Sequence, residues 1–219
     1  MTRQEIINQI GNYLNRTDLV TDGTALFWFQ IAHKDFQRAS NMLQAEEKTD
    51  YITLVESVDS YDVFSDLKEP IQAYVWDPDN NKVVRFYNKV NIETLRERRF
   101  STDLDRLTVA TVDSFDTFLY AIHANKFEVW PMIDSDLVGK YFGLDYYKWM
   151  TIPESESEDW ITQHAFDYLL YRSLIESVSF LGLSSEQGRD WATKAETAMK
   201  RVIGQDISTR LSGPLRIRG

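Results

Sequence analysis

The sequence predicts an α+β protein: a helical bundle drawn from the two chain ends, an inserted antiparallel β-sheet region, and an extended C-terminal arm. Three observations carry this. Near both ends apolar residues recur at three- and four-residue steps, the period of an amphipathic helix. In the middle the step shortens to two, with turn residues between the runs. After Gly204 apolar and basic positions alternate, and Gly213-Pro214 oppose further helix. The expected division is residues 1–48 for the N-terminal helices, 49–152 for the sheet region, 153–204 for a C-terminal helical hairpin and 205–219 for the arm.

In chain order, Thr2 and Glu5 have the spacing of a capping box, and Ile6, Ile7, Ile10, Tyr13 and Leu14 form one face of a helix ending near Asn15. After Thr21-Asp22-Gly23, a longer helix is marked by Ala25, Trp28, Phe29, Ala32, Phe36, Ala39 and Leu43. Strands are expected at 52–58, 71–76, 83–87, 107–112, 118–123, 127–133 and 141–152, with a brief helix at 91–99. Asp77-Pro78-Asp79-Asn80-Asn81 and Ala124-Asn125-Lys126 supply hairpin turns. No strand-helix alternation of the parallel-sheet kind is evident, so antiparallel pairing is expected throughout. Pro153 and the acidic run from Glu154 to Asp159 read as a solvated linker whose acids suit the next helix N-terminus.

Asp159 can cap a helix carrying Ile161, Ala165, Phe166, Leu169, Leu170, Leu174, Ile175 and Val178, which Gly182 ends. Ser184 and Gln187 then open a second helix, striped by Trp191, Ala195, Ala198 and Val202 and expected to stop at Gly204. The short turn between them makes the pair antiparallel. In the arm, Ile207, Leu211, Leu215 and Ile217 share one parity and Arg210, Arg216 and Arg218 the other, which is strand period without a partner strand nearby. Such a segment is expected to order on another chain.

The chain has 219 residues, enough for a substantial core without staples. It contains no cysteine, which excludes disulfides, thiolate metal sites and cysteine nucleophiles. The N-terminus enters an amphipathic helix directly, and no long uncharged run suggests a membrane span. Net charge is −10, yet residues 205–219 hold three arginines and one aspartate, so the arm is basic and the body more acidic than the total. An acidic body argues against tight phosphate-backbone binding and suits a surface that DNA passes without sticking.

No serine elbow, phosphate loop, dinucleotide turn or paired-histidine helix occurs. His33, His123 and His164 have no ligand or nucleophile at useful spacing and receive no role. The Asp77 to Asn81 run begins like a calcium loop, but Lys82 and Asn88 occupy the positions that need glycine and glutamate, leaving a hairpin turn. Arg96, Arg98 and Arg99 form the one basic cluster in the body, interrupted by Glu97 and read as a helix end or a subunit contact. Asp113 and Asp116 flank a turn, where aspartate is expected for backbone hydrogen bonds. No catalytic, cofactor or metal residue is assigned, and the protein is expected not to be an enzyme. The alternative is a carbohydrate- or ligand-binding module that stacks on Tyr141, Phe142, Tyr146, Tyr147 and Trp149. An acidic hydrolase would require carboxylates converging in a cleft.

With these residues in place, the chain resembles the head-to-tail adaptor, or portal-adaptor connector, proteins of tailed bacteriophages, podovirus type. The likeness lies in Tyr13-Leu14-Asn15-Arg16-Thr17-Asp18-Leu19 and the aromatic helix of residues 26–43. It continues in Phe127-Glu128-Val129-Trp130-Pro131 before Tyr146-Tyr147, in the helix around Tyr168 to Leu174, and in the terminal Ser212-Gly213-Pro214-Leu215-Arg216-Ile217-Arg218. Residues 51–111 match only as a pattern of strands. The resemblance implies a structural virion protein at the head-tail connection, assembled in the host cytoplasm, in a homo-oligomeric ring of about twelve copies below the portal protein. Such a ring extends the DNA channel, passes DNA without specific binding during genome ejection, and offers a platform to tail or nozzle proteins. It further implies that Arg210, Leu211, Ser212, Gly213, Pro214, Leu215, Arg216, Ile217 and Arg218 form the arm that enters the portal. A portal strand edge would receive the arm's backbone, pockets would take Leu215 and Ile217, and acids would pair with its arginines.

Overall fold

The computed structural model describes residues 1–39, 41, 47–100, 118–131, 133 and 135–212. Along the chain these form α1 (Arg3–Leu14), α2 (Asp18–Thr21), α3 (Thr24–Ala39), β1 (Glu47–Thr53), β2 (Ser60–Asp62), β3 (Leu67–Asp77), β4 (Lys82–Lys89), α4 (Ile92–Phe100), β5 (Phe118–His123), β6 (Lys126–Trp130), a 3-10 turn (Ser135–Leu137), β7 (Tyr141–Lys148), α5 (Trp160–His164), α6 (Phe166–Leu181) and α7 (Ser185–Ser212). They divide into a helical unit, Met1–Glu46 with Met150–Gly219, and a sheet unit, Glu47–Trp149.

The helical unit follows from its apolar stripes. Thr2 and Glu5 close the capping box that starts α1, and Asn15 ends that helix in the left-handed region. Ile6, Ile7 and Ile10 of α1 meet Trp28, Phe29, Ala32 and Phe36 of α3, Leu169, Leu170 and Leu174 of α6, and Trp191, Ala195, Ala198 and Val202 of α7 in one core. Burying aliphatic and aromatic side chains of this size contributes roughly 1.5–3 kcal/mol each. The residues of 153–159 do more than link. The carbonyls of Ser155 and Ser157 accept from the Gln4 and Arg3 amides, satisfying donors that the start of α1 would otherwise leave open, while the Arg3 guanidinium donates to the Pro153 carbonyl. Buried Ser173 and Ser177 return their hydroxyls to the carbonyls of their own helix, so neither is stranded in the core.

The sheet unit is a mixed seven-stranded sheet in the order β1-β7-β3-β4-β5-β6-β2. Strand alternation sends Phe142, Leu144 and Tyr146 of β7, Ala73 and Val75 of β3, Tyr87 of β4, Phe118 and Tyr120 of β5, and Phe127 and Val129 of β6 into a common core. The opposite face of β7 includes Gly143, where Tyr74 lies so close that an added Cβ would sit 2.5 Å from its ring, so only glycine fits. Register between β3 and β7 shifts beside Pro70, which has no amide hydrogen for the ladder.

Several expectations need correction. Pairing is not antiparallel throughout: β4 and β5 run parallel, with Tyr87 opposite Phe118 and Lys89 opposite Tyr120. Their connection carries α4 and far exceeds the dozen or so residues that a parallel crossover needs. The helix expected from Asp159 to Gly182 is two, because Ala165 leaves helical geometry at φ −120 and ψ 24 between α5 and α6. Gly182 does end α6 in the left-handed region. Gly204 does not end the last helix, since α7 continues to Ser212, and Gln205–Ser212 are therefore helical here rather than extended. The physical reason is that Ile207, Leu211 and Leu215 are spaced by four, a step that fits a helix face as well as a strand face. β2 and α2 escaped the sequence reading because three or four residues show no period. The expected strand at 107–112 and the residues Asp113 and Asp116 lie outside the described residues.

Candidate docking segment

The segment expected to bind a partner is mounted on the α6–α7 hairpin. Ser184 accepts from the Gln187 amide at 3.3 Å to open α7, and Trp191, Ala195, Ala198, Met199 and Val202 then bury one stripe of the helix. Arg201 pairs with Asp167 of α6, and Lys194 stands 5.5 Å from the Tyr171 ring centre while bonding Asp190 at 2.7 Å. Tyr171 in turn meets Tyr13 of α1 edge to face at 6.4 Å. Between these groups runs an open groove lined by Asp167, Tyr171, Thr193, Lys194, Thr197, Ala198 and Arg201. Its charges are already matched in opposite pairs, which makes it a packed helix-hairpin surface rather than an ion site.

On this mount, buried and exposed positions alternate as far as Ser208. Val202 is 1% exposed and Asp206 5%, whereas Ile207 is 48% exposed. Arg210, Leu211 and Ser212 lie in the last turn of α7. Gly213, Pro214, Leu215, Arg216, Ile217 and Arg218 lie outside the described residues.

The other candidates resolve into structural roles. His33 is fully buried in a chain of directed hydrogen bonds that sequence reasoning missed. The Met150 amide donates to Gln37 Oε1 at 2.8 Å, so Gln37 Nε2 donates to the Met150 carbonyl at 3.1 Å and to His33 Nδ1 at 3.0 Å. His33 Nε2 is then the donor to Asp159 Oδ2 at 2.8 Å, while Asp159 Oδ1 accepts from the Thr162 amide at 2.7 Å as the cap of α5. Burial pushes the Asp159 carboxyl up, but bonds from His33 and Thr162 outweigh it and hold the group below the usual range. Two polar residues four apart on the buried stripe of α3 are the signal that would have exposed this chain.

His164 stacks on Trp160 with ring centres 4.6 Å apart, and His123 lies 3.9 Å from Glu128. Asp77 caps its own hairpin turn, accepting from the amides of Asp79 and Asn80 and from the Asn80 side chain. Among the described residues no group of three histidines or acids could hold a metal ion. Arg99 is structural: it donates to Glu128 at 2.8 Å and to the Val129 carbonyl at 3.1 Å, tying α4 to β6. Arg96 and Arg98 stay exposed.

The aromatic stretch divides by strand parity. Phe142 and Tyr146 are fully buried, Tyr141 and Tyr147 half-buried, and Trp149 exposed beneath Lys68. The expected stacking platform is thus not assembled by these residues. A different aromatic row crosses the outer face, where Tyr51, Tyr74 and Phe86 meet edge to face at 6.4–6.5 Å over Gly143. Tyr146 points its hydroxyl toward Asp50 and Asp66 at 2.6 and 2.7 Å, and Lys48 bridges the same two carboxylates. Burial, and then those carboxylates, push the Tyr146 hydroxyl well up from its ordinary value.

No helix among the described residues is long and apolar enough to cross a membrane. No curated protein matches the chain. A family model described as SU10 adaptor protein matches residues 1–218.

Proposed function

This chain belongs to the SU10 adaptor protein family, and from that premise we propose that it is a structural head-to-tail connector of a tailed bacteriophage, forming a ring beneath the portal. The observation that carries this reading is the length of the family match, which spans both units and reaches the last residues of the chain. The ring holds about twelve copies joined by one heterologous contact repeated by rotation. It extends the DNA channel, and its acidic body gives DNA little to bind. One face carries tail or nozzle proteins, and the arm from Arg210 to Arg218 docks onto the portal.

Charge and attachment support the arm's role. Three arginines against one aspartate make residues 205–219 basic in an otherwise acidic chain, and the stretch continues directly from α7, whose earlier turns are packed in the helical core. Many weak arms acting together need only modest affinity each. Deletion of Leu211 to Gly219 tests the proposal. The truncated protein is expected to fold with unchanged helical content and to lose attachment to portal-bearing heads. Undiminished attachment would overturn the assignment of the arm.

A further inference from the structure

The two ends of α7 are made differently. From Ser185 to Ile203 the helix is rich in strong formers, among them Ala192, Lys194, Ala195, Glu196, Ala198, Met199 and Lys200, and its stripe is buried against the hairpin partner. From Gly204 the composition turns to Gly204, Asp206, Ile207, Ser208, Thr209 and Ser212, all weaker formers. Gly204 itself has no steric need to be glycine. It is exposed, its φ is not positive, and a Cβ there would meet nothing within 4 Å. A glycine inside a helix with no close approach to permit weakens the helix and nothing else. Ser208 adds to this as a weaker helix former than alanine; its hydroxyl donates to the Gln205 carbonyl at 2.8 Å, a local bond of the kind that Thr193 and Thr197 also make earlier in the helix. The same segment satisfies strand parity as well as helix spacing, because Ile207, Leu211 and Leu215 are even steps apart.

We propose that Gln205–Ser212 is a helix-to-extended switch hinged at Gly204, helical in the free subunit and unwound when the arm is docked. The inference rests on the portal-docking reading and names how that docking is regulated. Unwinding changes reach: the segment from Gln205 to Ser212 spans about 12 Å as helix and about 26 Å as strand. The cost of unwinding is drawn from docking affinity, so an arm stored as weak helix binds only where a matching edge supplies new backbone bonds. The stored helix also keeps the backbone of Gln205–Ser212 hydrogen-bonded within its own chain until then, which lowers its availability to pair with other strands.

The experiment compares the full-length wild type with Gly204→Ala and with Gly204→Ala combined with Ser208→Ala, measuring hydrogen exchange in the free protein and affinity for purified portal protein. In the wild type the amides of 207–212 are expected to exchange much faster than those of 192–203. Each replacement should slow that exchange, and Gly204→Ala should weaken portal binding about fivefold, with the double variant weaker again. Unchanged or tighter binding, with slower exchange, would mean that the arm docks as a helix and would overturn the switch. Equal protection on both sides of Gly204 in the wild type would overturn it as well. A wild-type chain that does not bind portal defeats the docking reading and the switch with it, whereas binding indifferent to both substitutions removes the switch alone.

Discussion

The two units bury polar groups in opposite ways. In the helical unit, Met150, Gln37, His33, Asp159 and Thr162 form a file in which each N–H faces one acceptor, the two hydrogens of Gln37 Nε2 going to the Met150 carbonyl and to His33. In the sheet unit, the Tyr146 hydroxyl shares one hydrogen between Asp50 and Asp66, and Lys48 closes the ring at 2.8 and 2.9 Å. The first cluster surrounds a histidine with no exposure, while the carboxylates of the second are about a third exposed, 33% and 31%. Direction is fixed in one and negotiable in the other. The file should therefore be brittle, since any missing member leaves a buried group unpaired, and the ring should be tolerant, because water can replace a lost partner.

Asp159→Ala is the largest test of that contrast. It strands the His33 donor in the core and removes the cap of α5, two losses that together cost about 2–4 kcal/mol. The expected outcome in chemical denaturation is a marked fall in the midpoint, with exchange accelerated in the helical unit first. A loss below about 1 kcal/mol would show that the file is no more brittle than the ring. Tyr146→Phe is the matching change in the sheet unit. It removes only the hydroxyl and leaves Lys48 to hold both carboxylates, so the expected cost is about 1 kcal/mol, read as a small midpoint shift with sheet topology retained. A larger loss than that of Asp159→Ala would reverse the comparison.

The same contrast accounts for what the residues disclosed in advance. Ile6, Ile10, Trp28, Phe29, Leu169 and Leu174 announce the helical unit because a bundle buries one stripe per helix and the stripe is written at fixed spacing. His33 and Gln37 interrupt such a stripe, yet the partner that satisfies them, Asp159, is 126 residues away from His33 and no local pattern points to it. In the sheet, alternation places Phe142 and Tyr146 inward but says nothing of which strand pairs with which, and so the parallel β4–β5 pair was not legible. The chain end was ambiguous for a different reason. A spacing of four satisfies helix and strand alike, and the choice between them at Gln205–Ser212 is made by the helix that precedes it, which extends one residue at a time once nucleated. The docking role proposed for the residues beyond it rests on charge, parity and a resemblance.

Acid offers the finest discrimination between the two clusters. Asp159 and Asp66 are both held below the ordinary carboxyl range: burial raises each, and hydrogen bonds from His33 and Thr162 in the one, from Tyr146 and Lys48 in the other, outweigh it. A carboxyl depressed in the folded state contributes stability that is complete above its unfolded value, about 3.9, and is lost as pH falls through the folded value. Both clusters therefore leave stability unaffected near neutrality and withdraw it only at strongly acidic pH. They differ in size, because Asp66 is partly solvated and its Lys48 partner is screened by water, whereas the Asp159 side chain is only 12% exposed and bonds the fully buried His33. Stability measured from pH 5 to pH 2 should fall in the wild type, keep most of that slope in Asp66→Asn, and lose a visible part of it in Asp159→Asn. If the two variants flatten the curve equally, the carboxylates feel the same environment, and the distinction between a fixed file and a hydrated ring does not extend to their charges.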